Sequence, residues 1–455
     1  MIGGRQAARP TSDRDALVPA VMRRSRAAGN APWDPDPELE MPAPFRWTAV
    51  LFAALGALAA LDAALVGLGL VPTHAGLLWL RVHLVTLGLL AELAFGLLPG
   101  LVALATGGAV PVFRPGRWLL LNLGLLTLLV GIPLVRRPMI ALGGTLVLAA
   151  TVWLILELWR QRPAPAPDAG VQPASGRRFY LAALLFLVVG GLVGTGLWLG
   201  WGPGLGIRVP RETHIHANIW GFASLLMAGL LVDLAPALSD RAGLGRRAAN
   251  LVLGSLSLGA GLLLVAPWTG LSWLMLPGIL LYILATALLY RRLVLPLFPL
   301  GVGARLLLTS YLWILLPALA LPLIVLGGER VSAARLEPVG PSILTYGWLL
   351  PALLALAPAA ASLVAKAAPT GRVASGSKPE AIREGSRMVG PPRLGGSERV
   401  WVACSFVPLA LAASIGFPEL AAPARSLAFV LLAGLLASFA RTLMDLPDPA
   451  DAAAT

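Results

Sequence analysis

From His83 to Pro99 the chain reads HLVTLGLLAELAFGLLP, from His216 to Pro236 HANIWGFASLLMAGLLVDLAP, and from Ser342 to Pro358 SILTYGWLLPALLALAP. Each stretch is apolar almost throughout, the property of a helix that crosses a hydrocarbon core about 30 Å thick. Each carries a glycine five positions after its first residue, at Gly88, Gly221 and Gly347, and a second small residue eight further on, at Gly96, Gly229 and Ala355. Small residues mark the faces on which membrane helices approach one another closely. The glycines recur roughly every 130 residues, which predicts an internal repeat of four-helix units.

Working outward from these segments, the whole chain fits the same pattern. Of its 455 residues 57% are hydrophobic and 13% charged, where a soluble domain carries about 25% charged residues. That excludes a water-soluble globule. Apolar runs bounded by Pro, Gly, Arg or Trp fall at 47–70, 76–104, 117–135, 138–160, 178–201, 213–236, 249–267, 270–290, 303–327, 341–365, 399–416 and 422–441. The expected fold is therefore all-α: a polytopic membrane domain over 46–441 with twelve transmembrane helices in three four-helix repeats, 46–160, 178–292 and 303–441. Residues 1–45 read as a disordered basic tail, 366–398 as a flexible loop rich in Gly, Ser and Arg, and 442–455 as a C-terminal tail.

The charge pattern sets an orientation. Most of the 35 Lys and Arg flank alternate loops on the side of the N-terminus; Arg81, Arg136, Arg137, Arg208, Arg211, Arg330, Arg335 and Arg425 flank the other. By the positive-inside rule both termini are cytoplasmic, and a composition rich in Arg, Ala, Gly and Leu suggests a bacterial inner membrane. The formal charge of +13 is spread between apolar runs and so speaks of the lipid bilayer as partner and not of nucleic acid. The single cysteine, Cys404, excludes a disulfide framework and a cysteine-based metal centre. No phosphate-binding glycine loop, HExxH helix or nucleophile elbow stands in a suitable context.

All four histidines lie in, or just ahead of, the second and sixth helices. His74 precedes helix two, His83 is near its start, and His214 and His216 open helix six. Ionisable groups at membrane depth are costly and mark sites; a neutral imidazole ligates haem iron or copper, with a hydrogen-bond partner on its second nitrogen. Glu212 and Asn218 are candidates for that partner. Residues two apart on a helix point about 200° apart, so His214 and His216 face different surroundings. Arg81 and Arg211 lie at the same level, suited to anionic groups or to interfacial anchoring. Among acids within the runs, Glu92 is a candidate for a proton path or a buried pair, whereas Glu157 and Asp233 are expected to snorkel to the boundary. Asp62 is a further acid within a run.

Helices in three four-helix arcs, with RVHLVTLGLL and THIHANIWGF carrying histidines toward the outer side, resemble the catalytic subunit of the haem–copper oxidases, the superfamily of cytochrome c oxidase and nitric oxide reductase. The resemblance implies histidine ligands on helices two, six and ten, which here correspond to His83, to His214 and His216, and to Ser342. It thus implies haem b, or copper, near the outer face, held by His83, His214 and His216 with Arg81 and Arg211 toward the haem propionates. An electron donor or partner redox subunit would accompany it. Helix ten offers Ser342 where the family has a histidine, helix seven has no histidine, and helix eight has no lysine. A proton-pumping oxygen reductase is therefore not expected, and an electron-transfer or nitric oxide- or oxygen-related role is. The competing classes are a cofactor-free transporter, to which Pro317, Pro322 and Pro351 in helical runs would point, and an assembly subunit of the same fold.

Overall fold

The computed structural model describes residues 41–106, 113–161, 175–239, 243–327, 339–367 and 395–446. Among these every regular element is helical. We number the main helices in chain order: α1 (Ala43–Gly67), α2 (Ala75–His83, a π-helical turn Leu84–Leu89, then Leu90–Thr106), α3 (Pro115–Gly131), α4 (Arg137–Arg160), α5 (Arg177–Leu199) and α6 (Pro210–His216, a π turn Ala217–Ala223, then Ser224–Leu238). There follow α7 (Arg246–Thr269), α8 (Met275–Leu289), α9 (Val302–Gly327), α10 (Gly340–Ile343, a π turn Leu344–Leu349, then Leu350–Ala367), α11 (Glu398–Gly416) and α12 (Ala421–Met444).

A helix occupies each of the twelve apolar runs. Ten are long and apolar enough to cross a membrane, while α3 and the Val302–Leu316 part of α9 are shorter. The chain is thus a polytopic helical protein with the helices of an integral membrane protein. Several boundaries differ from the sequence expectation. Helix α1 begins at Ala43, inside the expected tail, because Pro42 and Pro44 suit a first helical turn whose N–H groups have no intrahelical acceptor. Helix α12 runs to Met444 and α10 to Ala367, while α9 follows its expected run past Pro317 and Pro322 to Gly327. Residues 1–40 of the tail, 368–394 of the loop, 447–455, and Arg330 and Arg335 lie outside the described residues.

Chain neighbours form the outer packing: α3 lies along α4, α7 along α8, α11 along α12, and α1 closes against α12. Helices α2, α6 and α10 are the most deeply buried, and α10 packs against both of the others. The three glycines found in the sequence are where a neighbour presses on these helices. A Cβ at Gly88 would come 2.5 Å from the Phe52 ring, one at Gly221 would come 2.4 Å from Phe186, and one at Gly347 would come 2.8 Å from Pro408. Each glycine sits inside a π turn.

The acids expected to snorkel have partners within the protein. Glu157 of α4 pairs with Arg117 of α3, which is itself buried and also donates to the Phe95 carbonyl at 3.1 Å. Asp233 of α6 accepts from the Gly176 N–H and the Tyr180 hydroxyl, both at 2.7 Å. Partners supplied by adjacent helices satisfy these groups inside the protein, so they have no need of the headgroup layer.

Candidate functional site

His83 closes the first stretch of α2. Its Nδ1 lies 2.8 Å from the Trp79 carbonyl one turn earlier, and the Trp79 ring stacks on the imidazole with centroids 4.3 Å apart and planes 13° apart. His214, in the first stretch of α6, places Nδ1 2.8 Å from the Gly190 carbonyl of α5. A carbonyl oxygen only accepts, so both rings donate from Nδ1, and the neutral rings hold their lone pairs on Nε2. The two imidazoles face the same space with centroids 6.1 Å apart and planes 23° apart.

Glycines on α5 make room for this arrangement. A Cβ at Gly194 would come 2.6 Å from Cε1 of His214, and one at Gly190 would come 2.4 Å from the Asn218 amide. Asn218 donates to the His214 carbonyl at 2.8 Å. It therefore braces the backbone and also lies 3.2 Å from His214 Nδ1, beside the Gly190 carbonyl that accepts from that nitrogen. The GGLVG pattern at 190–194 was the available signal for this wall.

His216 turns the other way. Its Nδ1 donates to the Leu263 carbonyl of α7, four residues before Pro267. Proline has no N–H to give that carbonyl, so the imidazole takes the place of a missing helical bond. His216 does not line the cavity that holds His83 and His214, and His74 is exposed ahead of α2.

That cavity has a volume of about 1030 Å³ and mostly apolar walls drawn from α1 to α6 and α10 to α12. The π turns of α2, α6 and α10 each contribute to it: Thr86 and Leu87, Asn218 and Phe222, and Tyr346 and Leu349. Ser342, the helix-ten counterpart of the histidines, also lines it. Arg81, Arg211 and Arg425 bring positive charge to the wall. Arg81 pairs with Asp62 at 3.0 Å and lies over the Phe429 ring at 5.9 Å, and its carbonyl accepts from the Tyr346 hydroxyl. Its Nε is buried and has no hydrogen-bond partner. Arg425 and Tyr346 were not singled out in the sequence; their only mark there was an arginine at a helix end and a tyrosine beside Gly347.

Chemically the cavity offers two imidazole nitrogens, a broad apolar surface and cationic side chains. Among the described residues no three His, Cys, Asp or Glu side chains come together as a metal-binding group, so the three-histidine copper set of the resembled family is not gathered among them. No protein-family model and no curated protein matches the sequence.

Proposed function

We propose that the protein is an integral membrane haem protein in which Nε2 of His83 and Nε2 of His214 ligate haem b, with Arg81, Arg211 and Arg425 toward the propionates. The observation that carries this reading is the imidazole pair. Two imidazoles on one metal sit with centroids roughly 6 Å apart, because each metal–nitrogen bond is about 2 Å, and the pair here stands at 6.1 Å. The tied Nδ1 atoms fix the tautomer that ligation needs. A macrocycle supplies its own equatorial donors, so two protein ligands suffice, whereas bare copper would need more than these two imidazoles. The unpartnered Arg81 Nε suits a carboxylate.

Bound haem supplies one-electron chemistry at a potential set by its ligands and surroundings. The protein's part would be to ligate the iron through His83 and His214, exclude water with the apolar wall and neutralise the anionic edge. With two histidine ligands the group would serve electron transfer with a redox partner. We further read the fold as three four-helix units of the haem–copper oxidase kind, with both termini in the cytoplasm of a bacterial cell. The π turn and glycine common to α2, α6 and α10 support the repeat, and the loop arginines support the orientation.

The test is the visible spectrum of the detergent-purified protein, oxidised and dithionite-reduced. A Soret band that sharpens on reduction, lost in His83→Ala and His214→Ala but kept in His216→Ala and His74→Ala, is expected. A colourless protein that takes up no added haem would overturn the reading, and bound copper without haem would replace it.

A further inference from the structure

Glu92 of α2 is fully buried. Its Oε2 lies 2.6 Å from the Thr48 hydroxyl of α1, the Asn122 amide of α3 is a second polar neighbour, and its Oε1 makes no hydrogen bond of normal geometry. The other buried acids differ. Asp233 accepts two hydrogen bonds at 2.7 Å, and Glu157 is held by Arg117. The cations nearest in sequence and packing are engaged away from Glu92: Arg117 with Glu157 and the Phe95 carbonyl, and Arg46 with the Leu446 carbonyl at 3.2 Å. A buried carboxylate with neither cation nor full hydrogen bonding is far costlier than the neutral acid.

Thr48 can pass a proton either way. Its hydroxyl has one hydrogen and three acceptors in reach, Glu92 Oε2 at 2.6 Å and the Pro44 and Phe45 carbonyls at 2.8 and 3.2 Å. When that hydrogen turns to a carbonyl of the first turn of α1, the acid's own proton makes the bond, donated to Thr48 Oγ. Thr48 is half-buried and Ala43 exposed, so the pair leads from the protein interior to the end of α1. That end is remote from His83, which lies nine residues before Glu92 and so about 13 Å away along the helix.

We propose that Glu92 is a proton-carrying carboxylic acid that exchanges its proton with water at the α1 end through Thr48. In release, the Glu92 O–H bond breaks as one forms on Thr48 Oγ, and the Thr48 hydrogen passes to a water that leaves as hydronium. Uptake reverses both transfers. The proposal does not depend on haem.

Infrared spectra of the full-length purified protein in lipid test it. The expected result is a protonated-carboxyl C=O band that shifts in D2O and is absent in Glu92→Gln. Thr48→Val should slow that shift about tenfold, the kinetic equivalent of one lost hydrogen bond, and Thr48→Ser should restore the native rate. Should Glu92→Gln not fold, Glu92→Asp assigns the band by moving it. A protein lacking a Glu92 band, a band unshifted after hours in D2O, or a Thr48→Val protein that exchanges as fast as Thr48→Ser would overturn the proposal. None of these readings uses the visible spectrum, so it stands or falls apart from the haem reading.

Discussion

Helices α2, α6 and α10 differ from the helices around them in what they must satisfy. In their apolar windows 89%, 83% and 89% of the residues are buried in protein, against 22% to 44% for the other spanning helices. Lipid chains are as apolar as leucine, so an outer position needs only to be apolar. An inner position must fit particular neighbours, and His83, His214 and the π turns that carry Gly88, Gly221 and Gly347 lie on these three inner helices. Hydropathy therefore describes the periphery well and the centre poorly.

The sharpest way to break this contrast is to open an interior ion pair. Glu157→Ala strands Arg117 among apolar groups and is expected to cost about 3–5 kcal/mol, read as a collapse of the thermal midpoint in detergent. Asp445→Ala, at the exposed Arg441–Asp445 pair of 3.8 Å, should change stability by less than about 0.5 kcal/mol. Equal effects would mean that interior and periphery are not distinct. Next in size, Gly221→Ala forces a methyl against Phe186 and should cost about 1–3 kcal/mol. Gly254→Ala on α7, where a Cβ meets nothing within 4 Å, should instead raise stability by up to about 1 kcal/mol through helix propensity. A harmless Gly221→Ala would show that α5 and α6 can separate there. Of the interior changes the smallest effect is expected from Tyr346→Phe, which removes the bond to the Arg81 carbonyl and should cost about 0.5–1.5 kcal/mol; a neutral result would remove Tyr346 from the bracing of Arg81.

The sequence located the helices because a membrane-length apolar run needs no partner to be recognised: the run at 178–201 is α5 (Arg177–Leu199), and that at 249–267 is α7 (Arg246–Thr269). It also separated His214 from His216 by helical angle alone. It did not say which of them shares a cavity with His83, because that depends on α5 glycines and on the proline of α7, both remote in the chain. The partners of Glu157 and Asp233 were hidden for the same reason. A single acid near a helix end suits a boundary, and only the packing of α3 on α4 and α5 on α6 reveals Arg117 and Tyr180 as partners. Arg117 was counted with the loop charges and is interior.

The π turn at Leu84–Leu89 stands between His83 and Glu92. A π turn holds about one residue more than an α turn, so α2 takes up an extra residue there while its two halves keep nearly the bearing of a regular helix. Losing a single residue inside the turn would let α2 revert to regular α winding with His83 still facing much as it does relative to Glu92. Losing one in the regular winding between the turn and Glu92 would instead swing the His83 side by about 100°. Chain length is thus tolerant at one locus of α2 and decisive beside it.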